Sequence, residues 1–169
     1  MISINKHSKP VIAMIDGIAT AAGCQLISSC DLAYSSENSQ FATPGVNIGL
    51  FCSTPMVPLS RTVGKKQAME MLLTGDLIDA KKALSIGLIN NVFENAKLEE
   101  NVLEIANKIA SKSSATIKIG KDAFYKQKDM SLKEAYDYTS KIMTENMLHK
   151  DSEEGITAFL EKRSPNWKG

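Results

Sequence analysis

Backbone donors and a few polar side chains are gathered where an apolar strand is predicted to give way to a helix. Residues 11–15 form an apolar, strand-like run, residues 19–23 are small, and residues 24–29 are helix-like. The first N–H groups of a helix have no partner inside it and carry a partial positive charge that stabilises anions. The stretch therefore predicts a site for a negatively polarised oxygen. A tight strand-to-helix turn that binds nothing is the alternative, because small residues also allow close packing.

The histidines and cysteines are too scattered to suggest a metal centre. His7 and His149 have no ligand-spaced companions, and Cys24, Cys30 and Cys52 include no C-x-x-C pair. An odd number of cysteines argues against a disulfide framework and favours a reducing compartment. Cys24 begins the predicted helix, where a thiol can have a lowered pKa, but a small apolar core residue is its more common role. We therefore predict no metal site.

Strand-like and helix-like segments alternate in the first half of the chain. The strand-like runs are residues 11–15, 32–34, 41–42 and 88–93. Strand, loop, helix and strand in succession indicate an α/β crossover with parallel strands. A single helix is predicted over residues 61–73, and Asp79 is predicted to cap a short helix over residues 80–86. We expect one short parallel sheet covered by these helices.

The second half of the chain has the periodicity of helices. Apolar residues recur at helical spacing over residues 98–109, and another helix is predicted over residues 116–126. Two pairs have the spacing of a capping box and predict two further helices: Ser131 with Glu134, and Asp151 with Glu154. These helices have apolar stripes but little predicted sheet to cover. They pack either on one another or on partner chains.

Composition limits the class of protein. The chain has 169 residues, of which 43% are hydrophobic and 23% charged, and its formal net charge is +1. These values are ordinary for one globular domain and indicate neither a nucleic-acid surface nor a membrane surface. The first ten residues lack the features of signal and transit peptides. We expect a cytoplasmic protein or, alternatively, a mitochondrial matrix protein whose targeting segment is missing.

Four collinear segments resemble the enoyl-CoA hydratase/isomerase, or crotonase, superfamily and together extend over nearly the whole chain. They read KPVIAMIDGIATAAGCQL, CDLAYSSENSQFATPGVNIGL, VGKKQAMEMLLTGDLIDAKKALSIGLIN and EGITAFLEKRSPNW. The resemblance implies an α/β fold, a partial crotonase (ClpP/crotonase-like) spiral. Residues 1–96 would be the α/β core, with the N-terminal part of the family domain missing, and residues 97–169 a C-terminal helical subdomain.

The resemblance also assigns the residues of the site. It makes Ala22 the backbone donor of an oxyanion hole, whose second donor would belong to the missing N-terminal part. It places Gln25 and Gly45 at the positions of the two family glutamates that perform acid–base catalysis. Glutamine does not exchange a proton near neutral pH and glycine has no side chain. We therefore expect both acid–base groups to be lost.

Further positions would contact the substrate. The resemblance gives Ala21, Gly23 and Thr43 as substrate-binding positions, and it brings Phe159, Lys162 and Arg163 to the nucleotide of coenzyme A. Within this chain alone, a basic residue at the end of a helix is as well explained by the helix dipole.

The resemblance thus predicts an acyl-CoA-binding protein of fatty acyl-CoA metabolism with weak or absent hydratase activity. The alternatives are an acyl-CoA lyase, isomerase or hydrolase that uses a different base, and a pseudoenzyme subunit that builds an oligomer. No cofactor is expected, since the coenzyme A thioester is itself the substrate or ligand. The resemblance implies a homotrimer or a dimer of trimers.

Overall fold

The computed structural model describes all 169 residues and divides into two compact units. The first unit holds residues 1–5 and 11–106, and the second holds residues 6–10 and 107–169. The boundary drawn from the sequence, between residues 96 and 97, stays a prediction. None of the helices is both long and apolar enough to cross a membrane.

Six strands form two small sheets in the first unit, where the sequence predicts only one. The strands are β1 (Ile12–Ile15), β2 (Ile18–Thr20), β3 (Leu32–Ser36), β4 (Gln40–Ala42), β5 (Ile78–Asp79) and β6 (Asn91–Phe93). One sheet is wholly parallel with the order β1-β3-β6. In the other, of order β2-β4-β5, β2 runs parallel and β5 antiparallel to β4. The fold is α/β as predicted, with a second, mixed sheet.

Strand β2 overlaps the small-residue stretch, residues 19–23, that the sequence predicts as a loop. Its central residue, Ala19, pairs with Phe41 of β4, and both side chains are buried in the same core. The strand is therefore formed by pairing with a partner some twenty residues away, a contact that the local sequence does not encode. The prediction of a strand over residues 88–93 is also too long, because only its last three residues are extended.

Nine helices and two short 3-10 helices complete the structure. The α-helices are α1 (Ile2–Lys6), α2 (Ala22–Ser29), α3 (Ser53–Thr62), α4 (Lys65–Thr74), α5 (Ala80–Ser85), α6 (Leu98–Ala110), α7 (Ser114–Gln127), α8 (Leu132–Met147) and α9 (Lys150–Leu160). The 3-10 helices are Pro44–Ile48 and Asn95–Lys97. Helix α2 begins two residues earlier than predicted, within the small-residue loop.

The single helix predicted over residues 61–73 is wrong. Helix α3 ends at Thr62 and α4 begins at Lys65, because Val63 and Gly64 between them are extended. Gly64 is then the N-cap of α4. In α4, Met71 is buried in the core while Leu73 is exposed.

Two of the predicted helix caps are confirmed and one is wrong. The Asp79 carboxylate accepts the Lys82 N–H at 2.7 Å, and Ser131 forms a complete capping box with Glu134. Asp151 does not cap α9; the ring of His149 accepts the Asp151 N–H instead. Asp151 is buried in the first turn, where its carboxylate has other partners.

The core of the first unit gathers side chains from both sheets and from α2 to α5. Its buried members are Ile15, Ala19, Cys24, Ile27, Ala33, Phe41, Cys52, Leu59, Val63, Ala68, Met71, Leu72, Ala83, Leu88 and Ile89. Tyr34, Leu98 and Val102 form a smaller cluster with Phe93. In the second unit, by contrast, α8 has no buried residue in sixteen.

Candidate functional site

The backbone is strained immediately before α2. Ala21 has φ 46° and ψ −109°, a region that residues with a Cβ rarely adopt. Two hydrogen bonds hold it there: its N–H donates to the Ala42 carbonyl at 3.0 Å, and its carbonyl accepts from the Gln25 N–H at 2.9 Å. Strained residues of this kind are concentrated at functional sites, where neighbouring structure enforces them.

The strained turn leaves two donors without partners. Ala22 and Gly23 are the first residues of α2, and their N–H groups donate to no protein acceptor. Ala22 is exposed and Gly23 is half-buried, while a Cβ built on Gly23 would meet only the Ala19 Cβ, at 3.6 Å. Both donors lie at the positive end of the helix dipole. They can bind a polarised carbonyl oxygen or an anion.

A cavity opens beside this turn at the carboxyl ends of two parallel strands. It has a volume of about 380 Å³, and its polar lining comes from Thr20, Asn47 and Asp76. Open α/β sheets place ligands at the carboxyl ends of their strands. Ala22 and Gly23 are not among its lining residues, although Thr20 directly precedes the strained turn. The sequence predicts that these two N–H groups face a cavity, and the lining of this one stops short of them.

The two positions that the family resemblance assigns to glutamates differ in their surroundings. Gln25 lies in the first turn of α2, half-buried, and its side-chain amide has no hydrogen-bond partner. It lies three positions after Ala22, so the two are neighbours on the same side of the helix. Gly45 lies in the 3-10 helix Pro44–Ile48 and is enclosed by the segment that follows it.

Thr43 immediately precedes that 3-10 helix and is completely buried. Its hydroxyl has no hydrogen-bond partner. An unpaired buried hydroxyl is costly, so few native structures retain many of them. Its neighbour Ala42 accepts the Ala21 N–H, so the strained turn is bonded to the residue just before this hydroxyl.

Cys24 belongs to the core, as its more common role predicts. Only 1% of its surface is exposed, and burial raises the pKa of its thiol to about 11. This pKa shift is opposite in direction to the lowered pKa considered for a thiol at a helix start, because burial disfavours the charged thiolate. All three cysteines are free, and no cluster of three or more His, Cys, Asp or Glu side chains could hold a metal ion.

In the second unit, Phe159 and Lys162 lie at the end of α9. Phe159 is 82% exposed, and Lys162 has φ 54°, a left-handed conformation that usually requires glycine. Arg163 is engaged: it makes bonds of 2.6 Å to Glu154 and to Glu161. Lys162, by contrast, is an exposed cation three positions after the exposed Phe159.

Two polar features of these units are missed by reasoning from the sequence. Asp76 is an acid in the lining of the cavity, and only the turn-forming Gly75 before it gives a local signal. Asp151 accepts the Ser113 hydroxyl at 2.5 Å and the Lys168 N–H at 2.7 Å. The Ser113 bond holds the pKa of this carboxyl below its usual range.

Comparison with known proteins identifies the family of the chain. The family model described as enoyl-CoA hydratase/isomerase matches residues 1–169. The chain belongs to the enoyl-CoA hydratase/isomerase family. It is 53% identical over 167 residues to human mitochondrial enoyl-CoA hydratase domain-containing protein 3, covering 99% of this chain and 55% of that protein.

Solved structures of the family have the same fold. The crystal structure of human enoyl-CoA hydratase domain-containing protein 3 gives a TM-score of 0.96 at 54% identity, covering 98% of this chain and 66% of that one. An enoyl-CoA hydratase from Mycobacterium smegmatis also gives 0.96, at 44% identity, with coverages of 99% and 65%. The crotonase fold predicted from the sequence is confirmed. The chain spans little more than half the length of the curated relatives it matches.

Proposed function

We propose that this chain provides the acyl-CoA-binding part of a family protein that acts in fatty acyl-CoA metabolism, with weak or absent hydratase activity. The observation that carries the proposal is the pair of unpartnered N–H groups at Ala22 and Gly23. A thioester oxygen bound there would be stabilised as negative charge develops on it. We assign the oxyanion contact to Ala22, and we place Ala21, Gly23 and Thr43 around the acyl group.

Hydration needs more than a polarised carbonyl. In the family mechanism one group must deliver water and another must exchange a proton with the α-carbon. Gln25 can orient water or the carbonyl but holds no exchangeable proton near neutral pH. Gly45 contributes nothing beyond its backbone. We therefore propose that the chain still binds and polarises the thioester but hydrates it weakly or not at all.

We further propose that Lys162 and Phe159 bind the nucleotide end of coenzyme A. Lys162 is the cation suited to a phosphate, because Arg163 is already paired with two carboxylates. Phe159 offers an exposed ring on which an adenine can stack. Glycine would relax the Lys162 backbone, so the strained lysine is consistent with a role for its charge.

Calorimetric titration with butyryl-CoA, a saturated thioester that cannot be hydrated, tests this proposal. Replacing Lys162 by asparagine keeps tolerance of the left-handed conformation but removes the charge, and should weaken binding about tenfold at low salt. Lys118→Gln is the matched control, since that lysine is also exposed and makes no bond. Equal affinities of the two variants would contradict the role of Lys162, and absence of any butyryl-CoA binding would contradict the proposed function.

We propose that the protein forms a homotrimer or a dimer of trimers. The support is α8, whose large apolar side chains Leu132, Tyr136, Met143 and Met147 are each at least 58% exposed. Such a surface is unusual on a monomer. Sedimentation should find trimers or hexamers that Met143→Glu dissociates and Lys141→Glu does not. A single, well-folded species of monomer mass would contradict the proposal.

A second candidate function is an active lyase, isomerase or hydrolase with a different base. Asp76 favours it, since this acid lines the cavity next to Thr20 and its carboxylate has no hydrogen-bond partner. Any turnover of acyl-CoA that Asp76→Asn abolishes, while butyryl-CoA still binds, would establish this candidate over the first.

For the compartment we propose the mitochondrial matrix over the cytoplasm. The support is the naming of the related human, rat and mouse proteins as mitochondrial. Imaging of the protein, expressed from its own gene, would decide between the two.

A further inference from the structure

Gly45 is enclosed by the residues that follow it. A Cβ built on this glycine would lie 2.8 Å from the Leu50 carbonyl oxygen, 2.9 Å from the Cys52 Sγ and 3.3 Å from the Cys52 nitrogen. Real Cβ atoms do not approach backbone oxygen this closely, so any side chain must displace residues 50–52. The Leu50 N–H meanwhile donates to the Gly45 carbonyl at 2.9 Å and holds the loop closed.

We infer that residues 45–52 form a closed loop that requires glycine at position 45. This position therefore cannot carry a carboxylate, and the site cannot hydrate a substrate by the mechanism that uses two carboxylates. The meaning given to positions 25 and 45 rests on the proposed function. The enclosure itself does not, because it follows from the contacts of the Gly45 backbone alone. Gly45 is in this sense a specificity-determining position: it fixes which chemistry the site lacks.

Displacement of the loop would not stay local. Cys52 is the N-cap of α3, and its carbonyl accepts the Met56 N–H at 2.9 Å in the first turn of that helix. Helix α3 packs on α2, which carries Gln25 and the open N–H groups. A side chain at position 45 would therefore disturb the same helix whose start binds the thioester in the proposed function.

The other glutamate position is free of this constraint. Gln25 is half-buried and its amide has no partner. Glutamate has nearly the same shape as glutamine, so Gln25→Glu should fit without rearrangement. The two substitutions that would rebuild a hydratase are thus unequal: one is accommodated and the other is excluded by backbone.

Alkylation of cysteine by iodoacetamide, resolved by peptide mass spectrometry, tests the enclosure. Cys52 is only 8% exposed in the closed loop. Gly45→Ala should speed its labelling at least about tenfold, as expected when a closed segment opens locally. Gly120→Ala is the matched control, because nothing lies within 4 Å of a Cβ built on that glycine. Equal Cys52 labelling in the two variants would overturn the inference.

A variant that fails to fold is also informative. If Gly45→Ala gives no folded protein while Gly120→Ala folds, the enclosure is supported, since a Cβ at position 45 would meet the Leu50 carbonyl oxygen at 2.8 Å and a Cβ at position 120 would meet nothing within 4 Å. Equal yields of folded protein from the two variants, with equal labelling of Cys52, would overturn it.

The chemical consequence is tested with crotonyl-CoA. Gln25→Glu/Gly45→Glu should hydrate it no faster than Gln25→Glu alone. Turnover of the double variant near an ordinary enzyme rate of about 10 s⁻¹ would overturn the inference. Failure of the unmodified chain to bind butyryl-CoA would reject the proposed function instead, and the labelling result at Cys52 would stand independently of it.

Discussion

The polar groups at the start of α2 lack hydrogen-bond partners, whereas those around α9 are mostly paired within the protein. At the start of α2, the Ala22 and Gly23 N–H groups and the Gln25 amide have no protein partner. Around α9, the Asp151 carboxylate accepts from Ser113 and Lys168, and Glu154 accepts from Arg163 and from the Asn166 N–H.

This difference separates a place that can bind a ligand from one that secures the chain. The first N–H groups of a helix have no partner inside it, so the donors at Ala22 and Gly23 are available to a ligand. The charged groups around α9 are instead satisfied within their own unit. Even there, the side chains of Phe159 and Lys162 have no hydrogen-bond partner, which is why only these two residues of that segment are proposed to bind coenzyme A.

The largest expected effect concerns catalysis at the start of α2. Both acid–base groups are lost, and the loss of each should lower the rate by a factor of about 10²–10⁴. Hydration of crotonyl-CoA by the purified chain should therefore stay below about 10⁻³ s⁻¹, given an ordinary rate of about 10 s⁻¹, and Gln25→Glu should restore little. A spectrophotometric assay checks this, and turnover near the ordinary rate would mean that a base such as Asp76 is at work.

In the segment around α9, Trp167 should contribute to stability. Its ring lies against Gly155, where a Cβ would be 3.3 Å away, and its Nε1–H donates to the Ser111 carbonyl at 2.8 Å. Trp167→Ala should lower the free energy of unfolding by about 2–3 kcal/mol through lost packing. Trp167→Phe keeps an aromatic ring and should lose about 1 kcal/mol for the hydrogen bond. Denaturant unfolding that ranks the two variants equally would contradict this division.

The paired carboxylates around α9 should also make the stability of the protein depend on pH in the acid range. Arg163 lowers the pKa of Glu154 to about 2, and Ser113 lowers that of Asp151. A carboxylate whose folded pKa is depressed contributes stability that is complete above its unfolded pKa, near 4, and is lost as pH falls through the folded value. The temperature of thermal unfolding should therefore fall steeply as the pH drops below about 4.

Glu154→Gln sharpens this test, because it should flatten the acid dependence and lower stability at neutral pH. Glu153→Gln is its control, since the adjacent side chain is exposed and makes no bond. Equal acid dependence in the two variants would show that the Arg163 pair does not contribute. High salt should reduce the effect in the unmodified chain, as it does for any partly exposed ion pair.

The sequence predicts the features that depend on neighbouring residues. Asp79 and Ser131 cap their helices because each needs only a backbone N–H three residues on. Cys24 joins the core because its apolar neighbours bury it. The four collinear segments likewise identify the family, since they carry the pattern of the whole fold.

What the sequence cannot predict depends on distant partners or on backbone angles. Strand β2 exists through pairing with β4, and Asp151 leaves its predicted cap for Ser113, 38 residues away. An alanine gives no sign of a positive φ, so the strain at Ala21 is invisible before the fold is known. The enclosure of Gly45 depends in the same way on where Leu50 and Cys52 return.

The smallest expected effect lies in that strained turn, and its sign distinguishes strain from packing. Ala21→Gly should relieve about 1–3 kcal/mol of backbone strain, against about 0.5–1 kcal/mol of added chain entropy in the unfolded state. We expect a net gain of about 1 kcal/mol in the free energy of unfolding. Ala22→Gly, one residue on and with helical dihedral angles, should lose about 0.5–1 kcal/mol instead. Denaturant titration of both variants checks the pair of signs. A loss for both would mean that the Ala21 methyl group packs usefully, and that the turn is held for the core rather than for the open N–H groups beside it.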